Sequence, residues 1–137
     1  MKLETNILWK NNMNFISQLG KHTISMDSLP EFGGEDLGVR PKGLLMVALG
    51  GCTGMDVVSI LKKMKVELDY FNIKIEGNTA DEHPKKFLDM KVIYEFKGFN
   101  LDYSKLEKAV TLSQEKYCGV KASFEGAIKM SYEIIVL

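Results

Sequence analysis

Apolar and polar residues alternate in short runs at the start of the chain, in the stretch "NILWKNNMNFISQLGKHTISMD". The alternation predicts strands near Ile7–Trp9, Met13–Ser17 and Thr23–Met26, separated by turns at Asn11–Asn12 and Gly20–Lys21. The next stretch, "SLPEFGGEDLGVRPKG", is rich in glycine and proline, which is typical of a loop.

The periodicity changes at Pro41, where a helix is predicted to run to about Met64. Proline suits the first turn of a helix, because the N–H that it lacks has no partner there. Lysines at the other end complement the negative end of the helix dipole. The segment from Leu44 to Leu49 has no polar position, so it lacks a face suited to water. We therefore expect a sheet and another helix to cover this segment.

The second half of the chain begins with two strand patterns, "VELDYFNIKIEG" and "FLDMKVIYEFKG". The first slips in phase between Tyr70 and Phe71, as at a bulge or a strand boundary. A helix is predicted from "DYSKLEKAV" to about Tyr117, where Gly119 can end it. The tail "AIKMSYEIIVL" alternates as a last strand. The predicted order is β-β-β-α-β-β-α-β, an α+β fold in a single domain over residues 1–137.

Composition and charge exclude several classes of protein. The 18 basic and 18 acidic residues balance, whereas a general nucleic-acid binder carries a basic excess, so we expect no nucleic-acid partner. The uninterrupted apolar run is too short to cross a bilayer, so no membrane partner is expected. No basic and apolar leader opens the chain, and there are only two cysteines. Both features favour a reducing, cytoplasmic location.

The two cysteines are the main candidates for chemistry. Cys52 stands among Gly50, Gly51 and Gly54, where missing side chains would let a neighbouring element approach the helix closely. Cys118 follows the second helix in "EKYCGVKASF". Inert packing is the competing interpretation for each thiol, because free cysteine is among the most buried residue types.

Other polar residues give weaker signals. His22 and His83 are far apart and lack the ligand spacing of a zinc site, so no metal and no cofactor are predicted. Asp56 lies four residues after Cys52 on roughly the same helix face. It is a candidate for a helix-terminus hydrogen bond or a dimer contact, and its charge would raise the pKa of a neighbouring thiol.

The stretch "RPKGLLMVALGGCTGMDVVSILKK", followed later by "YCGVKASF", resembles the OsmC/Ohr family of thiol-dependent hydroperoxide reductases. Its closest likeness is to the branch with "GGCTGMDVVSIL". In that pattern a proline-led apolar helix carries the first cysteine, and the second follows another helix. The preceding loop and the closing strand also fit, so the resemblance covers nearly the whole chain. It implies an intertwined α+β homodimer, with central helices packed against curved antiparallel sheets.

The resemblance also implies a two-cysteine mechanism in oxidative stress defence. Cys52 would attack the peroxide as a thiolate, and Cys118 would resolve the resulting sulfenic acid as a disulfide. The two cysteines should therefore lie close enough to bridge. A dithiol reductant would restore both thiols by exchange. Apolar walls from Leu45, Leu49 and Met55 would favour organic hydroperoxides.

The chain departs from the family pattern in the groups that activate the first cysteine. Lys42 and Gly43 stand where the family has a glutamate, and the N-terminal strands contain no arginine. Arg40, the only arginine, is therefore the predicted catalytic cation, with Lys42 as a second candidate and a surface role as the alternative for Arg40. The alternative function is a non-catalytic homologue whose dimer pocket binds a small apolar ligand and whose thiols are packing.

Overall fold

The computed structural model describes residues 1–137, which form two compact units, Met1–Leu45 and Met46–Leu137. The prediction of one domain over the whole chain stays a prediction.

The first unit contains a three-stranded antiparallel sheet of β1 (Asn6–Asn11), β2 (Asn14–Leu19) and β3 (His22–Met26). The three strands predicted from the alternating pattern are confirmed. Asn12 and Gly20 turn the chain between them with φ angles of 52° and 61°. Asparagine and glycine adopt this left-handed conformation more readily than other residues, which explains their use in the two turns.

The loop after β3 is organised by Asp27. Its carboxylate accepts hydrogen bonds from the backbone N–H groups of Ser28 at 2.7 Å and Leu37 at 3.1 Å. Burial opposes ionisation of Asp27, but these donors outweigh it and lower its pKa. Gly34 is required in the same loop, because a Cβ there would lie 2.0 Å from the carbonyl oxygen of Ser28.

Helix α1 (Pro41–Lys63) confirms the predicted long helix. Its buried positions are Leu49, Thr53, Val57 and Leu61, which repeat every four residues and so form one face. Val47 and Met55 lie on other faces and are exposed in the single chain. Helix α1 has 23 residues and contains an 18-residue window with a mean hydropathy of 1.9, so it meets the length and composition of a membrane-spanning helix. That is weak support for a span, because core helices of soluble proteins meet the same criteria.

The second unit contains a sheet in the order β4 (Tyr70–Thr79), β5 (Phe87–Lys97), β6 (Lys129–Val136). The phase slip at Tyr70 marks the start of β4, and the bulge lies at its other end, between Asn78 and Thr79. The prediction of antiparallel sheets holds for β1–β3 and for β4 with β5, but β6 is parallel to β5. The helical connection after β5 carries the chain back along the sheet, so β6 runs in the same direction as β5.

The connection between β5 and β6 contains α2 (Tyr103–Leu112), a π-helical turn (Ser113–Tyr117) and α3 (Gly119–Phe124). The prediction that Gly119 ends the helix is wrong. Cys118 leaves the helical conformation, with φ −74° and ψ 101°, and Gly119 begins α3. The Cys118 sulfur caps this helix by accepting a hydrogen bond from the backbone N–H of Lys121 at 3.4 Å. The second cysteine is therefore fixed at the break between two helical segments.

The core of the second unit lies between α1, β5 and α2. Its fully buried members include Leu49, Val57, Leu61, Met90, Val92, Tyr94, Phe96, Leu106 and Val110. Packing of one helix face against a sheet and a second helix is the cover that the sequence predicted for α1, although other faces of the helix remain exposed.

The glycines of α1 have two different surroundings. A Cβ at Gly50 would lie 3.5 Å from Ile75, and one at Gly54 would lie 3.0 Å from Ile73. Both neighbours belong to β4, so the neighbouring element that these glycines admit is a strand of the sheet in the same unit. A Cβ at Gly51 would meet nothing within 4 Å. Gly51 and Gly43, which lies near the start of α1, face open space in the single chain.

Candidate thiol site

Two cysteines and one carboxylate converge in the second unit. Cys52 and Asp56 lie one turn apart on α1, and Cys118 lies at the start of α3. One ligand atom from each, the two sulfurs and a carboxylate oxygen, all lie within 4.8 Å of one another. Both cysteines are free thiols. The structure thus brings the two predicted cysteines together, as a thiol exchange between them requires, while their catalytic roles stay predictions.

The two thiols have unequal environments. Cys52 is half-buried, whereas Cys118 is only 3% exposed. Burial and the neighbouring Cys52 together raise the pKa of Cys118 from 9.0 to about 11, against the opposing effect of the Lys121 N–H. At neutral pH Cys118 is therefore protonated.

A chain of buried hydrogen bonds lies behind the thiols. The hydroxyl of Thr53 contacts that of Tyr94 at 2.6 Å and that of Ser113 at 2.7 Å. The Ser113 hydroxyl donates to Asp56 Oδ2 at 2.8 Å. At the far end, Gln114 Nε2 donates to the hydroxyl of Tyr94 at 2.6 Å. Burial raises the pKa of Tyr94, so the phenol keeps its proton at neutral pH.

The direction of this chain follows from its ends, because each hydroxyl has one proton to donate. Ser113 gives its proton to Asp56, so it must accept from Thr53. Thr53 must in turn accept from Tyr94, which accepts from Gln114. All donation therefore runs toward the Asp56 carboxylate. The chain holds that carboxylate beside the two sulfurs with a fixed orientation.

Arg40 belongs to the first unit. It forms an ion pair with Asp36 and a long hydrogen bond, 3.4 Å, to the backbone oxygen of Asp27. These contacts tie it to the loop after β3. The prediction that Arg40 serves Cys52 as a cation stays a prediction, as does that for Lys42.

The apolar wall predicted from Leu45, Leu49 and Met55 stays a prediction. In the single chain Leu49 is fully buried in the core, whereas Met55 is 77% exposed. An apolar groove with a volume of about 630 Å³ lies beside α1. Its lining includes Gly51, Gly54, Met55, Val58, Phe71 and Ile73.

Comparison with known families decides the classification of the chain. The family model described as OsmC-like protein matches residues 33–133. The chain belongs to the OsmC-like protein family. The matched region of this OsmC-like chain includes Cys52, Asp56 and Cys118, together with the residues of the hydrogen-bonded chain.

Two relatives resemble this OsmC-like chain over almost its whole length. Protein YhfA of Escherichia coli strain K12 is 29% identical, covering 97% of this chain and 98% of its own. The crystal structure of a hypothetical protein from Aquifex aeolicus VF5 is 31% identical, with a TM-score of 0.83 and coverage of 100% of this chain and 99% of that chain.

The fold is also shared with a more distant structure. The organic hydroperoxide resistance protein OsmC from Legionella pneumophila has a TM-score of 0.69 at 16% identity. The match covers 99% of this chain and 98% of that one. At this identity the likeness concerns the fold.

Sequence reasoning found the two cysteines but missed the hydrogen-bonded chain beside them. Thr53 and Asp56 are polar residues on an otherwise apolar helix, which is a signal of a buried polar contact. Ser113 and Gln114 give a similar signal just after α2. Tyr94, the hydrogen-bond partner of Thr53 and Gln114, looked like one more apolar position in a strand.

Proposed function

We propose that the protein reduces organic hydroperoxides with Cys52 as the attacking thiol and Cys118 as the resolving thiol, in defence against oxidative stress. The observation that carries the proposal is the pair of free thiols with sulfurs within 4.8 Å and unequal burial. Membership of the OsmC-like family and the fold shared with an organic hydroperoxide resistance protein support it.

The attacking and resolving roles are assigned from the solvent accessibility and the protonation of the two thiols. Cys52 is the thiol that solvent can reach, whereas Cys118 is buried and protonated at neutral pH. An S–H that Cys118 donated toward Cys52 would stabilise negative charge on the Cys52 sulfur, and the thiolate is the form that attacks peroxides. Arg40 or Lys42 would add positive charge.

The proposed reaction has three balanced steps. The Cys52 thiolate attacks the terminal oxygen of the hydroperoxide; the O–O bond breaks, and the alkoxide takes a proton to leave as an alcohol. Cys118 then attacks the Cys52 sulfenic acid, forming the disulfide and releasing water. A dithiol reductant finally exchanges with the disulfide, becomes a disulfide itself and restores both thiols. The sulfurs must approach from at most 4.8 Å to about 2.05 Å, the length of an S–S bond.

A homodimer is part of the proposal. Val47, Met55 and Val58 of α1 are exposed in the single chain, and Gly51 faces open space. Exposed apolar surface of this kind favours association with a second copy. The second copy would also narrow the open groove beside α1 and provide the apolar walls that one chain lacks. The proposed location is the cytoplasm, where thiol reductants are abundant.

A thiol titration tests the function directly. Reduced protein is mixed with one equivalent of cumene hydroperoxide or of hydrogen peroxide, and free thiols are counted over time. We expect two thiols lost per organic hydroperoxide and faster loss with the organic substrate. Unchanged thiol content after complete mixing with both peroxides would contradict the proposal.

The alternative function is binding of a small apolar ligand without catalysis. The apolar groove of about 630 Å³ beside α1 favours it, because small-molecule sites are concave and mostly apolar. In that case the thiols would be packing. An apolar ligand would bind equally well to wild type and to Cys52→Ser, and neither protein would consume peroxide.

A further inference from the structure

The strongest unassigned feature of the molecule is the set of side chains at the thiol site that can ligate a metal ion. Cys52, Asp56 and Cys118 offer two sulfur donors and one oxygen donor within 4.8 Å of one another. They come from two places in the fold, the middle of α1 and the start of α3. Helical spacing places Asp56 beside Cys52, but only folding brings Cys118 to the same place.

The distances suit a tetrahedral ion. Zinc–sulfur bonds of about 2.3 Å and zinc–oxygen bonds of about 2.1 Å separate neighbouring ligand atoms by about 3.6 to 3.8 Å in a tetrahedron. The three donor atoms are already within 4.8 Å of one another, so rotation of side chains can close the remaining gap. The backbone of α1 need not move.

The donor types select the kind of ion. Calcium and magnesium require oxygen ligands, which two thiolates do not supply. Thiolate sulfur with one carboxylate oxygen favours a thiophilic ion such as zinc. We propose that Cys52, Cys118 and Asp56 bind one zinc ion in the reduced protein, with water as the fourth ligand.

Groups around the cluster are arranged to hold these ligands in place. The Ser113 hydroxyl donates to Asp56 at 2.8 Å and is itself fixed by Thr53. The backbone N–H of Lys121 points at the sulfur of Cys118 at 3.4 Å. Hydrogen bonds to ligand atoms are a regular feature of protein metal sites, where they orient the ligands.

The three ligand side chains are buried to different extents, which leaves one side of the cluster open to an ion. Cys118 lies on the buried side, whereas Cys52 and Asp56 are both half-buried. An ion can therefore enter from the side of α1 and keep a water molecule there. Three protein ligands with one open position are typical of an exchangeable zinc site.

Zinc binding and disulfide formation exclude each other, because both use the same two sulfurs. A hydroperoxide that oxidises the two thiolates to a disulfide takes up two electrons and two protons and becomes an alcohol and water. The zinc ion then loses two of its three protein ligands and is released. The cluster would act as a zinc site that opens on oxidation.

Binding is measured on the full chain, reduced and freed of metal, without oxygen or peroxide. Zinc is titrated against a chromophoric chelator, and cobalt is added separately to detect sulfur-to-metal charge-transfer absorption. We expect one ion per chain and a thiolate band with cobalt. Cys52→Ser and Cys118→Ser should each abolish that stoichiometric binding, and Asp56→Asn should weaken it at least tenfold.

Two matched control variants distinguish changes at the zinc site from general effects of substitution on the protein. Asp81→Asn changes an exposed carboxylate in the loop between β4 and β5 and should bind zinc as wild type does. Ser113→Ala keeps all three ligands but removes the orienting hydrogen bond, so about a tenfold loss in affinity is expected. Circular dichroism verifies that each variant is folded. Equal affinity in Asp56→Asn and Asp81→Asn, or no cobalt–thiolate band in wild type, would overturn the proposal.

Release is tested with diamide, which oxidises dithiols without any peroxide. The loaded protein should release one zinc ion for each disulfide formed, and retention of zinc by the disulfide form would also overturn the proposal. The test is independent of peroxide reduction. A protein that binds zinc but consumes no peroxide refutes only the proposed function, and the reverse result refutes only the zinc site.

Discussion

The hydroxyl of Ser113 donates a 2.8 Å hydrogen bond to the carboxylate of Asp56, joining α1 to the π-helical turn across 57 residues of sequence. This contact is the last link of the chain that starts at Gln114. Because Asp56 also lies beside both sulfurs, the buried polar chain and the thiol site share one carboxylate. Changes in the chain should therefore affect both stability and the site.

Removal of the central hydroxyl of this chain should destabilise the protein. In Thr53→Val, which preserves shape, Tyr94 loses its acceptor and Ser113 loses its donor, and all three residues are fully buried. We expect the free energy of unfolding to fall by about 1 to 3 kcal/mol for each buried group left unpaired. Urea unfolding of Thr53→Val against Thr53→Ser, which keeps the hydroxyl, measures this loss.

A double-mutant cycle checks that the loss comes from the hydrogen bond. Tyr94→Phe removes the group that Thr53→Val leaves unpaired, so the double variant should lose less stability than the two single losses together. Strictly additive losses would mean that the two hydroxyls are not coupled in solution.

The two cysteines should respond differently to replacement by serine. Cys52→Ser removes the attacking sulfur, so peroxide consumption should be abolished while the protein stays folded. Cys118→Ser should allow one turnover and leave a sulfenic acid on Cys52, which dimedone traps and mass spectrometry detects. A packing role would give a small loss of stability in both variants and no kinetic difference between them.

The thiol of Cys118 should titrate at unusually high pH. Its pKa is raised to about 11, mainly by burial, so thiolate absorbance of the folded Cys52→Ser variant should rise well above pH 9. The same variant in denaturant should titrate near the ordinary value of 9.0. A folded protein that titrates at the same pH as the unfolded chain would contradict the buried, protonated Cys118.

The same shift predicts how stability depends on pH. Between pH 9 and 11 the unfolded chain loses the Cys118 proton while the folded protein keeps it. Stability from this group is therefore complete below pH 9 and is lost as the pH rises toward 11. The free energy of unfolding of Cys52→Ser should decline across this window, and Cys52→Ser with Cys118→Ala should decline less.

The candidate cations are separated by single replacements. Arg40→Ala should slow the reaction of Cys52 with cumene hydroperoxide by about tenfold or more if its charge stabilises the thiolate, which corresponds to about 1.4 kcal/mol. Arg40→Lys keeps the charge and serves as the control, and Lys42→Ala tests the second cation. An Arg40→Ala protein with wild-type kinetics and reduced stability would place Arg40 in the loop structure alone.

The sequence predicted the elements of the fold better than the contacts between them. Alternation of period two located all six strands, because one face of each sheet is apolar. The end of the helix at about Tyr117 was predicted, but the helix that follows Cys118 was missed, since a glycine that can end a helix can equally stand at the start of the next one, as Gly119 does. Nothing in the pattern indicated that the strand residue Tyr94 would meet Thr53, 41 positions away.

The thiol site could be predicted only in part, because its residues come from different elements of the fold. Cys52 and Cys118 could be paired through the family resemblance, and Asp56 could be placed near Cys52 by helical spacing. The donors that orient Asp56 come from another segment, and only the packing of α2 and its π-helical turn against α1 brings Ser113 there. Sequence periodicity describes one element at a time and does not carry this information.

The exposed face of α1 should hold two copies of the chain together. Met55 is 77% exposed in the single chain and contributes to the open apolar groove, so a charge there costs the isolated fold little. In a dimer that buries this face, Met55→Lys would place a charge in an apolar contact, which is strongly unfavourable. We expect wild type to sediment as a dimer at micromolar concentration and Met55→Lys to shift toward monomer. Phe99→Lys, which alters an even more exposed side chain in the loop before α2, should remain dimeric. A folded wild-type monomer at that concentration would leave α1 without the predicted partner.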